Sequence, residues 1–160
     1  MRVYVAGSLN DRLPRLLAVE TALLELGHEV TSSWLYEPEL RNDNAAAREW
    51  DLRARANDDW NDIARAEAVV IFTTMPSTTG GRDTELGRAL TLGIPTLLVG
   101  PRENVFFRRR EVYDIYEART LHHPVLRPLA IALLARKELI DYDREAVAQR
   151  SAASGGIFRG

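Results

Sequence analysis

The chain has 160 residues, 46% of them apolar, and 21 Lys and Arg against 23 Asp and Glu give a formal charge of −2. That much apolar material builds a packed core and excludes a disordered chain, while the near-neutral balance gives no electrostatic case for a nucleic-acid partner. Cysteine is absent, which excludes a disulfide framework and a thiolate metal site, and no window approaches the ~20 apolar residues of a membrane span.

Residues Met1 to Gly7 form too short an apolar run for a signal peptide. The expected location is therefore the cytoplasm, with no membrane partner. Val3 to Ala6 reads as a first strand, closed by the turn Gly7-Ser8-Leu9-Asn10. Leu13, Leu16, Leu17, Leu23 and Leu24 mark one face of a helix that stops at Gly27. His28 to Trp34 predicts a second, more polar strand near a sheet edge. Asn44 to Ala66 predicts a long alanine-rich helix anchored by Trp50, Trp60 and Ile63.

The apolar run Ala66 to Thr73 predicts the central strand. The loop Thr74 to Gly81 follows, then a helix from about Arg82 to Leu92. Gly93-Ile94-Pro95 turns the chain into a fourth strand, Thr96 to Val99, and Gly100 to Asn104 form the loop beyond it. Val112 to Tyr116 predicts a fifth strand and Pro124 to Arg136 a last amphipathic helix. Ser151 to Gly160 reads as a frayed or partner-dependent end.

Strands alternating with helices at these spacings predict right-handed βαβ units. The expected fold is α/β, a doubly wound, flavodoxin-like or Rossmann-like domain with a five-stranded parallel sheet. One domain is expected over residues 1–160, with a core over about 2–116 and a helical extension over 120–160.

In such sheets ligands bind beyond the carboxyl ends of the strands. That edge gathers Gly7 and Ser8 with Tyr4 below them, the stretch Ser77 to Glu85, and Pro101 to Asn104. The turn Gly80-Gly81 delivers Glu85 to the start of a helix. There it reads as a nucleophile or general base, or as a carboxylate favoured by the helix dipole. Asp59 shares the apolar stripe of the long helix with Ala56, Ile63 and Ala66. A buried acid needs a partner, so Asp59 is either paired with an arginine or a backbone amide, or chemically active. Asp58 and Asp62 fall off the stripe and read as solvated.

Tyr4 is a core aromatic or a site residue, and Ser8 and Ser77 are turn residues or anion ligands. On residue type alone, Arg82 and the run Arg108 to Arg110 are solvated cations. Trp34, Tyr36 and Trp50 are suited either to stacking on a base or to packing. His122 and His123 lack nearby acidic ligands and read as surface residues. No metal and no cofactor are expected.

Five motifs stand in a fixed order: Val3-Tyr4-Val5-Ala6-Gly7-Ser8; Gly27-His28-Glu29-Val30; Asp59 with Ile63 and Ala66; Gly80-Gly81-Arg82 with Glu85-Leu86-Gly87; and Gly100 to Phe106. Together they resemble the nucleoside 2-deoxyribosyltransferase family, which includes nucleoside transferases and nucleotide N-glycoside hydrolases. The likeness spans about residues 2 to 116. It implies that Glu85 is the nucleophile that attacks the anomeric carbon. It implies that Asp59 contacts the sugar or protonates the departing base, and that Tyr4 orients the nucleophile. Asn104 would be supplied to a neighbouring subunit's site, which implies a homodimer or higher homo-oligomer.

The resemblance also has a departure. The nucleoside transferases carry an additional aspartate in the loop before the nucleophile, and here Pro76 to Arg82 has none. Ser77 instead resembles the serine that binds the 5′-phosphate in the hydrolase branch, with Ser8 and Arg12 in support and Gly7, Gly81 and Arg82 completing the substrate-binding set. The expected partner is a small-molecule nucleoside or nucleotide, with hydrolysis of a monophosphate favoured. The alternatives are base exchange on unphosphorylated deoxynucleosides and a non-catalytic nucleotide-sensing module. The Gly80-Gly81 turn also resembles that of phosphoribohydrolases that free cytokinin bases, but their longer loop signature is not completed here.

Overall fold

A computed structural model describes residues 1–8, 12–37, 45–75 and 80–141. Five strands, β1 (Arg2–Ala6), β2 (Glu29–Val30), β3 (Ala68–Phe72), β4 (Thr96–Val99) and β5 (Val112–Asp114), form one sheet. All four pairings are parallel and the order is β2-β1-β3-β4-β5. This is the doubly wound α/β fold with the flavodoxin-like strand order. Every residue of β3 and β4 is buried, which is why both read as unbroken apolar runs rather than as alternating ones.

The helices are α1 (Leu17–Glu25), α2 (Ala45–Arg65), α3 (Gly81–Thr91), α4 (Ile115–Ala118), α5 (Leu126–Leu134) and α6 (Lys137–Ile140). Before α1, residues Arg12–Leu16 form a π-helical turn. Pro14 within it has no amide hydrogen to give to a regular α-helical ladder. Among the described residues no helix is long and apolar enough to cross a membrane.

Several element ends differ from expectation, each for a local hydrogen-bonding reason. The second strand, expected from His28 to Trp34, stops at Val30. Beyond Thr31, whose N–H still donates to the Val3 carbonyl at 3.0 Å, side chains take over the ladder. Ser32 Oγ accepts from the Val5 N–H at 2.6 Å, and Trp34 Nε1 donates to the Val5 carbonyl at 2.9 Å. The backbone is thereby released into a 3-10 turn at Ser33–Tyr36. The fifth strand ends at Asp114 rather than Tyr116, because the Asp114 carboxylate accepts the Tyr116 N–H and caps α4. The helix expected from Pro124 begins at Leu126, where His123 Nδ1 accepts from the Leu126 N–H at 3.1 Å.

Of the three expected anchors of α2, only Ile63 is buried; Trp50 is 71% exposed and Trp60 45%. The buried stripe of this helix is narrower than its apolar residues suggest, and both indoles lie outside it.

Gly100, directly after β4, has φ +124. A Cβ there would collide with Thr73 Oγ1 and lie 3.0 Å from the Thr73 carbonyl carbon. The backbones leaving β3 and β4 therefore approach each other only because this residue lacks a side chain. Gly100→Ala is expected to destabilise the fold by about 2–3 kcal/mol through the combined strain and overlap. Urea denaturation checks this, and a change within about 0.5 kcal/mol would contradict it.

Candidate active site

Tyr4 is fully buried in the middle of β1. Its hydroxyl donates to Glu85 Oε1 on α3 at 2.7 Å and lies 3.5 Å from Asp59 Oδ1 on α2. These partners are 81 and 55 positions away in sequence, and the packing of α2 on α3 and β1 brings them together. Gly80 starts the arrangement. It holds a left-handed φ of 73 at the head of α3, a conformation that glycine adopts without penalty, so the chain turns sharply off the sheet edge into the helix.

Above the triad, the two helices leave a cavity of about 530 Å³. Its walls are Ala56, Asn57, Asp59, Trp60 and Ile63 from α2, and Gly81, Thr84 and Glu85 from α3. The spacings of three and four residues put each set on one helix face. Ala56 and Gly81 are small, and this leaves room between the helices.

The electrostatics of the triad follow from burial. Burial pushes the Glu85 carboxyl up to about 7, with the Asp59 charge pushing the same way; the Tyr4 hydrogen bond and the Arg82 charge pull it back. Burial also raises Asp59 to about 7, helped by the charges of Glu37 and Asp62. Tyr4 is raised, first by burial and then by the two carboxylates, so its hydroxyl keeps its proton.

A hydroxyl has one proton to donate. The shorter contact assigns it to Glu85, so a hydrogen bond across the longer one requires a proton on Asp59. The pair thus favours an ionised Glu85 beside a protonated Asp59. Glu85 Oε2 is shielded from water and has no hydrogen-bond partner among the described residues.

The other expected ligands lie elsewhere or are engaged. Gly7 and Ser8 follow β1 and are half-buried. Gly81 opens α3 and lines the cavity. Ser77 lies outside the described residues. Arg12 Nη1 donates to the Glu37 carbonyl at 2.6 Å, and the Glu37 carboxylate pairs with Arg55 at 3.0 Å. Asn104 is engaged within its own chain: its amide donates to Asp83 Oδ1 at 2.8 Å and its Oδ1 accepts from the Phe106 N–H at 2.9 Å.

Arg82 is neither solvated nor a wall of the cavity. It is 2% exposed, donates to the carbonyls of Phe72 at 2.8 Å and Met75 at 2.7 Å, and pairs with Glu103. It ties the end of β3, the start of α3 and the loop after β4 into one unit.

Asp62, expected in solvent, is 3% exposed. It accepts from the Ser33 N–H at 2.8 Å and pairs with Arg65, holding the turn after β2 against α2. Of the three aromatic residues suited by type to stacking, Trp34 is buried on Val5, Tyr36 donates to Glu20, and Trp50 faces solvent. Trp60 lines the cavity instead, and its four-residue step from Ala56 was the available signal.

No protein-family model matches the sequence, and no curated protein matches it. Solved structures similar in fold include the following three. A 2-deoxyribosyltransferase from Bacillus psychrosaccharolyticus is 21% identical over 92% of this chain and 96% of its own, with a TM-score of 0.49. A CMP N-glycosidase of Clostridium botulinum is 18% identical over 71% of this chain and 87% of its own, with a TM-score of 0.47. A conserved protein from Enterococcus faecalis V583 is 14% identical over 96% of this chain and 98% of its own, with a TM-score of 0.44. These likenesses concern shape, and the chemistry of the site rests on its own residues.

Proposed function

We propose that this protein cleaves or transfers the N-glycosidic bond of a (deoxy)nucleoside or its 5′-monophosphate through a covalent glycosyl-Glu85 intermediate. The observation that carries the reading is the Tyr4 hydroxyl set between two carboxyls that both titrate near 7, under a cavity of about 530 Å³. Breaking a C–N glycosidic bond builds positive charge on the sugar, and a carboxylate beneath the ring stabilises it.

In the first step the Glu85 carboxylate bonds to the anomeric carbon. The C–N bond breaks with its electron pair going to the base, and the base takes a proton from Asp59. In the second step water attacks the anomeric carbon and gives a proton to the Asp59 carboxylate. The C–O bond to Glu85 breaks, which restores both groups. An acceptor base in place of water makes the same step a transfer. Two displacements retain the configuration at the anomeric carbon.

Hydrolysis of a monophosphate is the favoured form. Supporting it are Ser8 and Ser77 in the turn sequences after the first and third strands and the lack of an aspartate from Pro76 to Arg82. Assembly as a homodimer that shares Asn104 belongs to the same proposal.

The test is a base-release assay on ribo- and deoxynucleosides and their 5′-monophosphates, with and without a free acceptor base, read by chromatography. Release from monophosphates that disappears in Glu85→Ala is the expected result. Exchange on unphosphorylated deoxynucleosides would replace hydrolysis by transfer. Nucleotide binding without release from any substrate would overturn the reading in favour of a sensor.

Tyr4 is a positioning residue in this scheme, and Tyr4→Phe tests it. The hydroxyl holds Glu85 ionised, so its loss moves the acidic limb of the pH–rate profile to higher pH. The rate at pH 7 is expected to fall about tenfold or more. An unchanged rate with an unmoved limb would mean that Tyr4 only packs, since phenylalanine keeps the ring.

A further inference from the structure

One wall of the cavity is an aromatic ring that the bond-breaking steps do not use. Trp60 follows Asp59 on α2 and lines the cavity, yet it is 45% exposed. The Arg88 guanidinium lies 4.3 Å from the centre of its ring, within cation–π range. Arg88 is on α3, one turn beyond Glu85, and is not among the described residues that line the cavity. Its Nε is shielded from water and has no acceptor among the described residues, which suits a guanidinium laid against the ring rather than turned to a carboxylate. The arginine therefore backs one face of the indole and ties it to the helix that carries Glu85. Trp60 also lines the cavity and is partly exposed.

We propose that Trp60, backed by Arg88, is the stacking wall for the leaving base, so that this site selects its substrate by a planar aromatic heterocycle. The inference rests on the glycosidic reading for what happens after binding, and on the ring and the cavity alone for binding itself. A base stacked on Trp60 sits beside Asp59, the acid that protonates it. Stacking is sequence-tolerant because every base has a π-face. The wall therefore favours nucleotides as a class over the sugar phosphate without its base.

The experiment uses Glu85→Gln protein, which binds without turning over, and calorimetry with AMP, CMP and ribose 5-phosphate as probes. Adding Trp60→Ala is expected to weaken both nucleotides about tenfold and to leave ribose 5-phosphate unchanged. Adding Trp60→Phe keeps an aromatic face and is expected to stay within about threefold. Adding Trp50→Ala, an exposed indole away from the cavity, is expected to change nothing.

Three outcomes overturn the proposal: unchanged nucleotide affinity in the Trp60→Ala protein, an equal loss for ribose 5-phosphate, or no binding of either nucleotide. The result also separates this proposal from the glycosidic one. Base release by the unaltered protein with binding indifferent to Trp60 removes the stacking wall and keeps the glycosidase. Binding that depends on Trp60 without base release keeps the wall and removes the glycosidase.

Discussion

Glu85→Gln is expected to reduce base release by about a thousandfold or more while the fold stands and, at alkaline pH, gains stability. The loss of rate follows from replacing the nucleophilic carboxylate of the proposed scheme with a neutral amide. The gain in stability follows from burial. The Glu85 carboxyl rises from the ordinary 4.5 to about 7 in the folded protein, chiefly because its charge is buried.

Between those values the folded state binds more protons than the unfolded chain, so its stability falls as pH rises through that window. Below about pH 4.5 the carboxyl is neutral in both states, and Glu and Gln differ little. Above about pH 7 the folded protein carries a buried charge that the glutamine variant lacks. The variant's advantage is expected to grow from near zero at about pH 4.5 to roughly 2–3 kcal/mol at about pH 8. Urea denaturation at pH 5 and pH 8 measures it. A variant less stable than its parent at pH 8 would show that Glu85 is stabilised by its charge, against the burial argument. Base release that survives in the variant would remove Glu85 as nucleophile.

Arg82→Met is expected to cost about 3 kcal/mol of stability. Methionine fills much of the same volume but leaves the carbonyls of Phe72 and Met75 without their donor and Glu103 without its cation. Removing one partner of a buried pair costs about 3–5 kcal/mol. The lower end applies because the Glu103 side chain is 26% exposed.

Burial already raises the Glu103 carboxyl despite the arginine beside it. Without the arginine it protonates more readily, so the loss is expected to be smaller at pH 5 than at pH 8. Urea denaturation at both values checks this, and the double variant with Glu103→Gln is expected to recover part of the loss. A loss below about 1 kcal/mol would mean that the three acceptors are satisfied without Arg82.

The sequence by itself determined the repeating βαβ plan, because buried parallel strands such as β3 and β4 are short unbroken apolar runs between turn residues. It also determined where Glu85 enters its helix, through the glycine pair before it. Asp59 stood out because an acid on an apolar stripe conflicts with its neighbours. Tertiary structure alone decided what those residues face. Helical and strand spacing show which side chains share a face of one element, and say nothing of the element packed opposite.

For that reason β2 is shorter than its residue pattern suggests, since Ser32 and Trp34 side chains finish its ladder on Val5. Asp62 passes for a surface acid until the turn after β2 docks on it. Arg82 passes for a solvated cation or a ligand until two carbonyls and Glu103 surround it. Trp60 passes for a core anchor until α3 sets Arg88 on one face and the cavity beside it. Each of these roles depends on a partner many positions away, and only the packed chain places that partner within reach.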